Sequence, residues 1–232
     1  MKVLFITNVP SPYRVDFFEE LGKNVDLTVV FERTHAKDRE KIWHKLNFKN
    51  FKAYFLNGIR AGVDSSLSFK ILKFINQDFD IIVLGGYSTP TSILSELYLR
   101  IRKIPFILNA DGAFIRENES KLKKKIKTWL ISNANYWICS GKFTKETLKY
   151  YGAKEDRIFT YPFTSIRQSD ILSHIPTIEE KIELRNKLGI LEDKIVLSVG
   201  QFIYRKGFDI LIKATSKLDK NIEAYISLVA SH

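Results

Sequence analysis

The sequence predicts an α/β fold in which a doubly wound parallel sheet is followed by an incomplete second domain of the same kind. Short β-branched runs alternate with amphipathic segments along the 232 residues. The predicted strands are near-continuous apolar runs, which is typical of a Rossmann-like parallel sheet covered by helices on both faces. The alternation breaks at residues 164–177 and then restarts, which indicates a second unit.

The elements of the first domain follow one another as strand and helix. The run KVLFIT (2–7) is a strand, and Ser11 followed by Pro12 begins a helix that Gly22 ends. The other strands are VDLTVVF (25–31), FKAYFL (51–56), DIIVLGG (80–86), PFILNADG with its turn (105–112), NYWICSG (135–141) and RIFTYPF (157–163). The other helices are 67–77, 88–102, 120–134 and 143–152. Between the second and third strands, residues 34–50 predict a long loop or a broken helix.

The domain organisation follows from the break in this alternation. We predict an N-terminal domain over 1–163, a linker over 164–177 and the start of a second domain over 178–232. The second domain has a helix at 178–188, a strand KIVLSVG, a helix at 207–218 and a strand EAYISLVA. One strand–helix–strand unit cannot bury a parallel sheet by itself, so we expect this domain to be truncated near its start.

Composition limits the function classes and the partners. The net charge of +11 permits nucleic acid, an anionic membrane surface or a phosphorylated small molecule as partner. The single cysteine, Cys139, excludes an internal disulfide and fits a reducing cytoplasm. The sequence contains no apolar run long enough to cross a membrane and no signal-peptide pattern at the N-terminus, so we expect a cytoplasmic protein. Its four histidines are scattered, so we expect no metal site.

Two charged residues stand at the ligand-binding edge of the predicted sheet, where the strands have their carboxyl ends. Asp111 follows a buried strand, where it could accept a hydroxyl proton or only bond its own backbone in an Asx-turn. Arg14 lies in the first turn of a helix, where the dipole disfavours a cation. This position predicts an anionic partner, a carboxylate of the opposite domain, or a solvated arginine. An ion pair within the helix is disfavoured, because the positions that face Arg14 hold Phe17 and Phe18.

A third candidate is the segment LGGYSTPTS, which follows another strand. Gly86 permits close approach of a ligand, and Tyr87 and Ser88 offer hydroxyls just before a helix begins. This pattern suits a polar or phosphorylated ligand, or else a tight turn that needs glycine for its dihedral angles.

The segment LSVGQFIYRKGFDIL (197–211) places two cations where a helix begins. Gly200 ends a strand, Arg205 and Lys206 follow in a short loop, and the helix starts at Gly207. Unpaired backbone N–H groups and the helix dipole favour an anion there, and both cations can bind phosphate oxygens. The alternative is a pair of solvated loop cations.

The helix KLKKKIKTWL (121–130) combines an apolar face with a lysine-rich face. Such a helix can rest on an anionic membrane with its tryptophan at the interface, or pack on the core with solvated lysines. The residues that would contact the membrane are Lys121, Lys123, Lys124, Lys125, Lys127 and Trp129.

Three segments resemble glycosyltransferase family 4, whose fold is GT-B. VGQFIYRKGFDILIKA (199–214) resembles the start of the donor-binding domain of that family, and KVLFITNVPSPYRVDFFEEL (2–21) resembles its N-terminal start. SGKFTKETLKYYGAKEDRIFTYPF (140–163) resembles the last helix and strand of the N-terminal, acceptor-side domain. The resemblance implies retaining transfer from a nucleotide-sugar donor to a polysaccharide or lipid-linked acceptor in surface-polysaccharide biosynthesis, with no cofactor or metal.

The resemblance also implies roles for individual residues. Lys206 matches the family's cation on the donor diphosphate, and Gly200 belongs to the same donor site. Gln201 stands where the family often has arginine, and Arg205 would replace that charge. Asp111 falls where relatives carry an acceptor-side histidine or acid, so it is the candidate catalytic base. On the acceptor side we also place Arg14, Gly86, Tyr87 and Ser88.

The sequence departs from the family in length. The Glu-x7-Glu segment that orients the donor in the family is absent, so we expect little or no transferase activity from the isolated chain. One alternative is a catalytically inactive, truncated relative that binds an acceptor or a partner protein. Another is a basic nucleic-acid-binding protein, although no known nucleic-acid motif is present. On the first hypothesis the protein lies at the inner membrane face and binds no nucleic acid.

Overall fold

The structure is a computed structural model that describes residues 1–34, 48–62, 65–115, 118–164, 166–192, 194–200, 202–217 and 224–230. Most of the segment predicted as a loop or broken helix, 35–47, lies outside these ranges. Contacts divide the chain into two compact units, Met1–Arg167 and Gln168–His232. The domain bounds drawn from the sequence stay a prediction.

The first unit is built on a parallel sheet of seven strands in the order β3-β2-β1-β6-β7-β8-β9. Two further short strands, β4 and β5, pair antiparallel outside this sheet. The strands of the unit are β1 (Lys2–Thr7), β2 (Asp26–Phe31), β3 (Lys52–Phe55), β4 (Ile59–Arg60), β5 (Ser66–Leu67), β6 (Ile81–Leu84), β7 (Ile107–Ala110), β8 (Tyr136–Cys139) and β9 (Ile158–Thr160). Its helices are α1 (Pro12–Gly22), α2 (Ile71–Ile75), α3 (Pro90–Ile101), α4 (Lys121–Ser132) and α5 (Lys142–Tyr150).

The central strand β1 shows why the strands are apolar on both faces. Leu4 and Ile6 belong to one buried cluster, whereas Val3 and Phe5 belong to the cluster on the other face. A strand in the middle of a doubly covered sheet therefore needs hydrophobic side chains on both of its faces. This arrangement confirms the predicted fold class.

The largest difference from the sequence prediction is the helix expected over 67–77. The observed helix α2 covers only Ile71–Ile75, because Leu67 pairs with Ile59 in the small antiparallel sheet. Just beyond, the backbone N–H of Ser68 donates to the Thr91 hydroxyl at 3.1 Å. These tertiary contacts outweigh the helical spacing of the apolar residues.

The far half of the sheet holds the single cysteine of the chain. Cys139 ends β8, which pairs with β7 on one side and β9 on the other. Its side chain is fully buried in the larger hydrophobic cluster and forms no disulfide.

The second unit contains α6 (Ile178–Leu188), β10 (Lys194–Gly200), α7 (Phe208–Thr215) and β11 (Ala224–Ala230). The two strands pair in parallel from Lys194 opposite Ala224 onward. Helix α6 begins with a capping box, in which the Thr177 hydroxyl accepts from the Glu180 backbone N–H and the Glu180 carboxylate accepts from that of Thr177. Within the described ranges of the whole chain, no helix has the length and hydropathy needed to span a membrane.

Candidate functional site

Arg14 and Asp111 meet at the carboxyl edge of the first unit's sheet. Arg14 lies in the first turn of α1, directly after β1, and Asp111 is the residue after β7. The Arg14 Nη2 atom lies 2.6 Å from the Asp111 Oδ2 atom, and their side chains are 11% and 24% exposed. Arg14 therefore pairs with a carboxylate of its own unit. The expectations of a solvated arginine and of a partner in the opposite domain are both replaced by this contact.

Two residues that the sequence analysis missed complete this cluster. The Tyr161 hydroxyl donates to Asp111 Oδ1 at 2.8 Å and accepts from Arg14 Nη1 at 3.3 Å. Asn109 accepts from Arg14 through its Oδ1 atom, and its Nδ2 atom donates to the Tyr161 hydroxyl at 3.3 Å. We name these four residues the edge cluster. Tyr161 directly follows β9, so the rule that drew attention to Asp111 would also have found it.

An aromatic environment explains how a cation is tolerated at the start of α1. Four rings lie within 5.4–5.9 Å of the Arg14 guanidinium, within the range of cation–π attraction. Two of them are Phe17 and Phe18, whose positions had indicated a poorly paired arginine. The rings are those of Phe5, Phe17, Phe18 and Phe163.

The electrostatics of the cluster keep Tyr161 neutral. Burial raises the pKa of the Tyr161 phenol above its ordinary value, and the Arg14 charge partly opposes this rise. A protonated hydroxyl donates to Asp111, as the geometry requires. Both carboxylate oxygens of Asp111 thus have long-range partners, while a carboxylate has further lone pairs to accept from a ligand hydroxyl.

The segment after β6 leads into α3, whose N-cap hydroxyl binds a buried carboxylate of the same unit. The Glu32 carboxylate, fully buried, accepts from the Thr89 hydroxyl at the N-cap of α3 and from the Ser66 backbone N–H at 3.0 Å. An internal carboxylate therefore already lies at this helix N-terminus. Glu32 directly follows β2, so its place at the same edge was readable from the sequence.

The glycines of this segment have distinct structural reasons. A Cβ atom on Gly85 would lie 2.9 Å from the Ile6 carbonyl oxygen, so close packing against β1 requires glycine there. Gly86 has a φ of 142°, which favours glycine, and nothing lies within 4 Å of the place of its Cβ atom. Tyr87 packs against the larger core cluster, and Ser88 follows it before the N-cap of α3. The tight-turn interpretation thus accounts for Gly85 and Gly86, and an acceptor role for Gly86, Tyr87 and Ser88 stays a prediction.

In the second unit, the Lys206 side chain lies beside Gly200. A Cβ atom on Gly200 would lie 3.5–3.6 Å from the aliphatic carbons of Lys206, so the lysine stem packs along the end of β10. Gly207 has a φ of 67° and is the N-cap of α7. The backbone of Arg205 lies in the 3-10 turn Tyr204–Lys206, while its side chain and all of Gln201 lie outside the described residues.

The lysine-rich helix α4 begins at the Ser120 cap, buries Leu130 and Ile131, and exposes the other apolar residues of its stripe. Leu122 is 69% exposed, and Ile126 and Trp129 are also exposed. Of the five lysines, Lys127 differs, because its Nζ atom lies 2.5 Å from Glu119 Oε1. The Lys124 Nζ atom donates to the Tyr150 hydroxyl at 2.6 Å. Among the described ion pairs, none involves the other three, which are Lys121, Lys123 and Lys125.

The chain matches no protein-family model and no curated protein sequence. Across the described ranges, no group of three or more His, Cys, Asp or Glu side chains is placed to hold a metal ion.

Solved structures are similar to the chain over nearly its whole length. Anabaena HepE in complex with UDP has 14% identity and a TM-score of 0.61, and the match covers 97% of this chain and 60% of HepE. A Rickettsia africae glycosyltransferase has 16% identity and a TM-score of 0.57, covering 99% and 60%. The UDP-GlcNAc 2-epimerase of Methanocaldococcus jannaschii has 15% identity and a TM-score of 0.53, covering 100% and 74%. The fold is therefore that of GT-B glycosyltransferases and related epimerases, and the chain spans about 60% of the length of the first two.

Proposed function

We propose that this chain is part of a glycosyltransferase that binds a nucleotide-sugar donor. The fold supports the class, and the HepE structures were solved with UDP and with UDP-glucose. Retaining stereochemistry, membership of family 4 and an acceptor that is a polysaccharide or a lipid-linked glycan are proposed from the sequence resemblance. The role would be in surface-polysaccharide biosynthesis.

The observation that carries the proposal is the position of the Lys206 side chain beside Gly200 in the second unit. It holds a lysine beside the end of a parallel strand, just before the N-terminus of α7. A strand end with a glycine, a cation and free helical N–H groups suits a diphosphate. We place the donor diphosphate there, with Arg205 as a second cation.

The chemistry follows from these charges. The bond between the sugar and the diphosphate breaks with its electron pair passing to the diphosphate, whose growing charge Lys206 stabilises without a metal. The acceptor hydroxyl forms the new bond on the same face of the sugar from which the diphosphate leaves, as retention requires, and loses its proton to a base. Asp111 is the proposed base or acceptor-binding carboxylate, since Arg14 and Tyr161 hold it at the edge of the sheet.

Donor binding is tested by calorimetric titration of the chain with UDP and UDP-sugars. We expect binding that Lys206→Ala weakens about tenfold or more, since a charge-assisted hydrogen bond to phosphate is lost. Lys213→Ala is the matched control, because Lys213 lies later on α7 and pairs with Asp209 at 3.6 Å. Absence of UDP binding, or binding that ignores Lys206, would contradict the proposed donor site.

We further propose that α4 contacts an anionic membrane surface that carries the acceptor. Lys121, Lys123 and Lys125 flank the exposed stripe of Leu122 and Trp129. Lysines attract anionic headgroups, and apolar side chains enter the interface. Lys124 and Lys127 contribute charge nearby, although Lys127 is bound to Glu119.

Vesicle co-sedimentation tests this surface. We expect binding to vesicles that contain phosphatidylglycerol but not to pure phosphatidylcholine, and release at high salt. Lys121→Glu combined with Lys125→Glu should abolish it, whereas Lys181→Glu combined with Lys187→Glu on α6 should not. Equal binding of a single-stranded RNA, lost in the same α4 variant, would instead favour the nucleic-acid alternative.

A further inference from the structure

The segment that follows β9 is fixed to α1 by three side chains, which we name the exit clamp: Tyr161, Phe163 and Arg167. The Phe163 ring packs edge-to-face on Tyr13 at 5.8 Å and on Phe17 at 6.2 Å. The Arg167 Nε atom donates to the Asp16 Oδ2 atom at 3.1 Å.

Tyr161 links this clamp to the edge cluster. Its ring lies 5.6 Å from the Phe17 ring of α1 and 6.0 Å from the Phe163 ring of the clamp, so these two rings hold the Tyr161 ring in place. Its hydroxyl reaches Asp111 Oδ1, whereas Arg14 takes the Oδ2 atom. The two oxygens of one carboxylate are thus held by two different elements, the exit clamp and α1.

We propose that Tyr161 is a positioning residue for Asp111, and that Phe163 and Arg167 act by seating Tyr161. A carboxylate held at one oxygen can still rotate about its side-chain bonds, but one held at both oxygens keeps a single rotamer. The remaining lone pairs of Asp111 then point in a fixed direction, toward its exposed side. This inference rests on the proposed role of Asp111. It adds that the segment after β9 fixes the orientation of the Asp111 carboxylate.

The decisive measurement does not need turnover. Three-bond couplings from the Asp111 Cγ carbon to the backbone nitrogen and carbonyl carbon report its rotamer in solution by NMR. We expect couplings of one rotamer in the wild type and an average over several rotamers in Tyr161→Phe. Tyr136→Phe on β8 is the matched control, because that tyrosine is half exposed and distant in sequence from the cluster. Unchanged couplings in Tyr161→Phe would overturn the proposal.

A second variant tests the seating residues. Arg167→Ala keeps every side chain of the edge cluster, so any averaging of Asp111 that it causes must pass through the exit clamp. Ile166→Ala, at an exposed neighbouring position, should leave the couplings unchanged. If Arg167→Ala gives the wild-type couplings, the seating role is wrong.

A third readout separates this inference from the proposed function. The proposed function is tested by the UDP titration of Lys206→Ala, which does not involve Asp111 or Tyr161. If no UDP or UDP-sugar binds but the couplings change as expected, the proposed donor site fails while the positioning role stands. If UDP binds and the couplings of Tyr161→Phe are those of the wild type, the positioning role fails while the donor site stands.

Discussion

The Arg14 guanidinium lies 2.6 Å from the Asp111 carboxylate and joins the first turn of α1 to the loop after β7. The pair is largely shielded from water, with aromatic rings around the cation and Tyr161 on the anion. Shielding strengthens the attraction but also makes loss of one partner costly.

We first predict strong energetic coupling between Arg14 and Asp111. A double-mutant cycle with Arg14→Ala and Asp111→Ala, measured by urea unfolding, should give a coupling energy of about 1–3 kcal/mol. The control cycle is Lys52→Ala with Asp26→Ala, an exposed pair whose atoms lie 3.0 Å apart. It should give less than about 1 kcal/mol. Equal coupling in the two cycles would show that burial adds nothing to the edge cluster.

A buried acid on α3 leads to the second prediction. In the part of the chain that the structure describes, both carboxylate oxygens of Glu96 and the Nη1 atom of Arg100 are buried without a hydrogen-bond partner. Burial raises the pKa of Glu96 to about 7, and the Arg100 charge partly opposes this rise. The Arg100 guanidinium stacks over the Trp129 ring at 4.3 Å, which joins α3 to α4.

Unfolding measured against pH should reveal Glu96. Its pKa is near 4.3 in the unfolded chain, so between roughly pH 4 and pH 7 the folded state binds more protons. Its contribution to stability is complete below this window and is lost as the pH rises through 7. In the wild type this loss should lower the free energy of unfolding by roughly 3 kcal/mol across the window, and Glu96→Gln should remove that fall.

The control for this prediction is a carboxylate on the surface. Glu20→Gln on α1 removes an exposed acid paired with Lys23, and its stability curve should keep the shape of the wild type. A Glu96→Gln curve parallel to that of the wild type would mean that Glu96 is ionised in the folded protein across the whole range.

The third prediction concerns the glycine that ends α1. A Cβ atom on Gly22 would lie 2.0 Å from the backbone oxygen of Asn50. The backbone of Asn50 is held in place by Glu19, whose carboxylate accepts from the Asn50 N–H at 3.0 Å. Gly22→Ala should lower the free energy of unfolding by about 1–3 kcal/mol or more, because the backbone must move. Gly141→Ala is the control: nothing lies within 4 Å of the place of its Cβ atom, so it should cost less, about 0.5–1 kcal/mol, the loss expected when alanine replaces glycine at the N-cap of α5.

The fourth prediction concerns the capping box of α6. Thr177→Ala removes the hydroxyl that accepts from the Glu180 N–H at 3.2 Å, and it should destabilise the helix by about 1 kcal/mol. Faster amide exchange over the first turn of α6 would report this loss. Thr177→Ser retains the hydroxyl and should exchange like the wild type, so equal exchange in the alanine variant would exclude the capping contribution.

The sequence was informative about the sheet because each strand carries its own local signal. KVLFIT and DIIVLGG are apolar at successive positions, and their partners on both faces are buried as that pattern predicts. The Ser11 and Pro12 pair also marked the start of α1 correctly. The helix predicted over 67–77 was too long, because Leu67 pairs with Ile59, and these two residues come close only after folding.

The candidate site was predictable only in part, for a similar reason. Asp111 was predicted because ligands bind at the carboxyl ends of parallel strands. Tyr161 and Glu32 also directly follow strands, so the same principle predicts them as well. That Arg14 pairs with Asp111 could not be read from either segment, because the two are 97 positions apart and α1 follows a strand two places away from β7. Charge and helix position indicated only that Arg14 needed an anion.

Cys139 gives the first unit a natural chemical reporter. Its thiol is fully buried between two paired strands, so a maleimide or a disulfide reagent can reach it only when that half of the sheet opens. The rate of modification therefore measures the opening free energy of the sheet on the intact chain. Because the sequence holds no second cysteine, a cysteine engineered on an exposed helix would take up a fluorophore selectively, leaving Cys139 unlabelled.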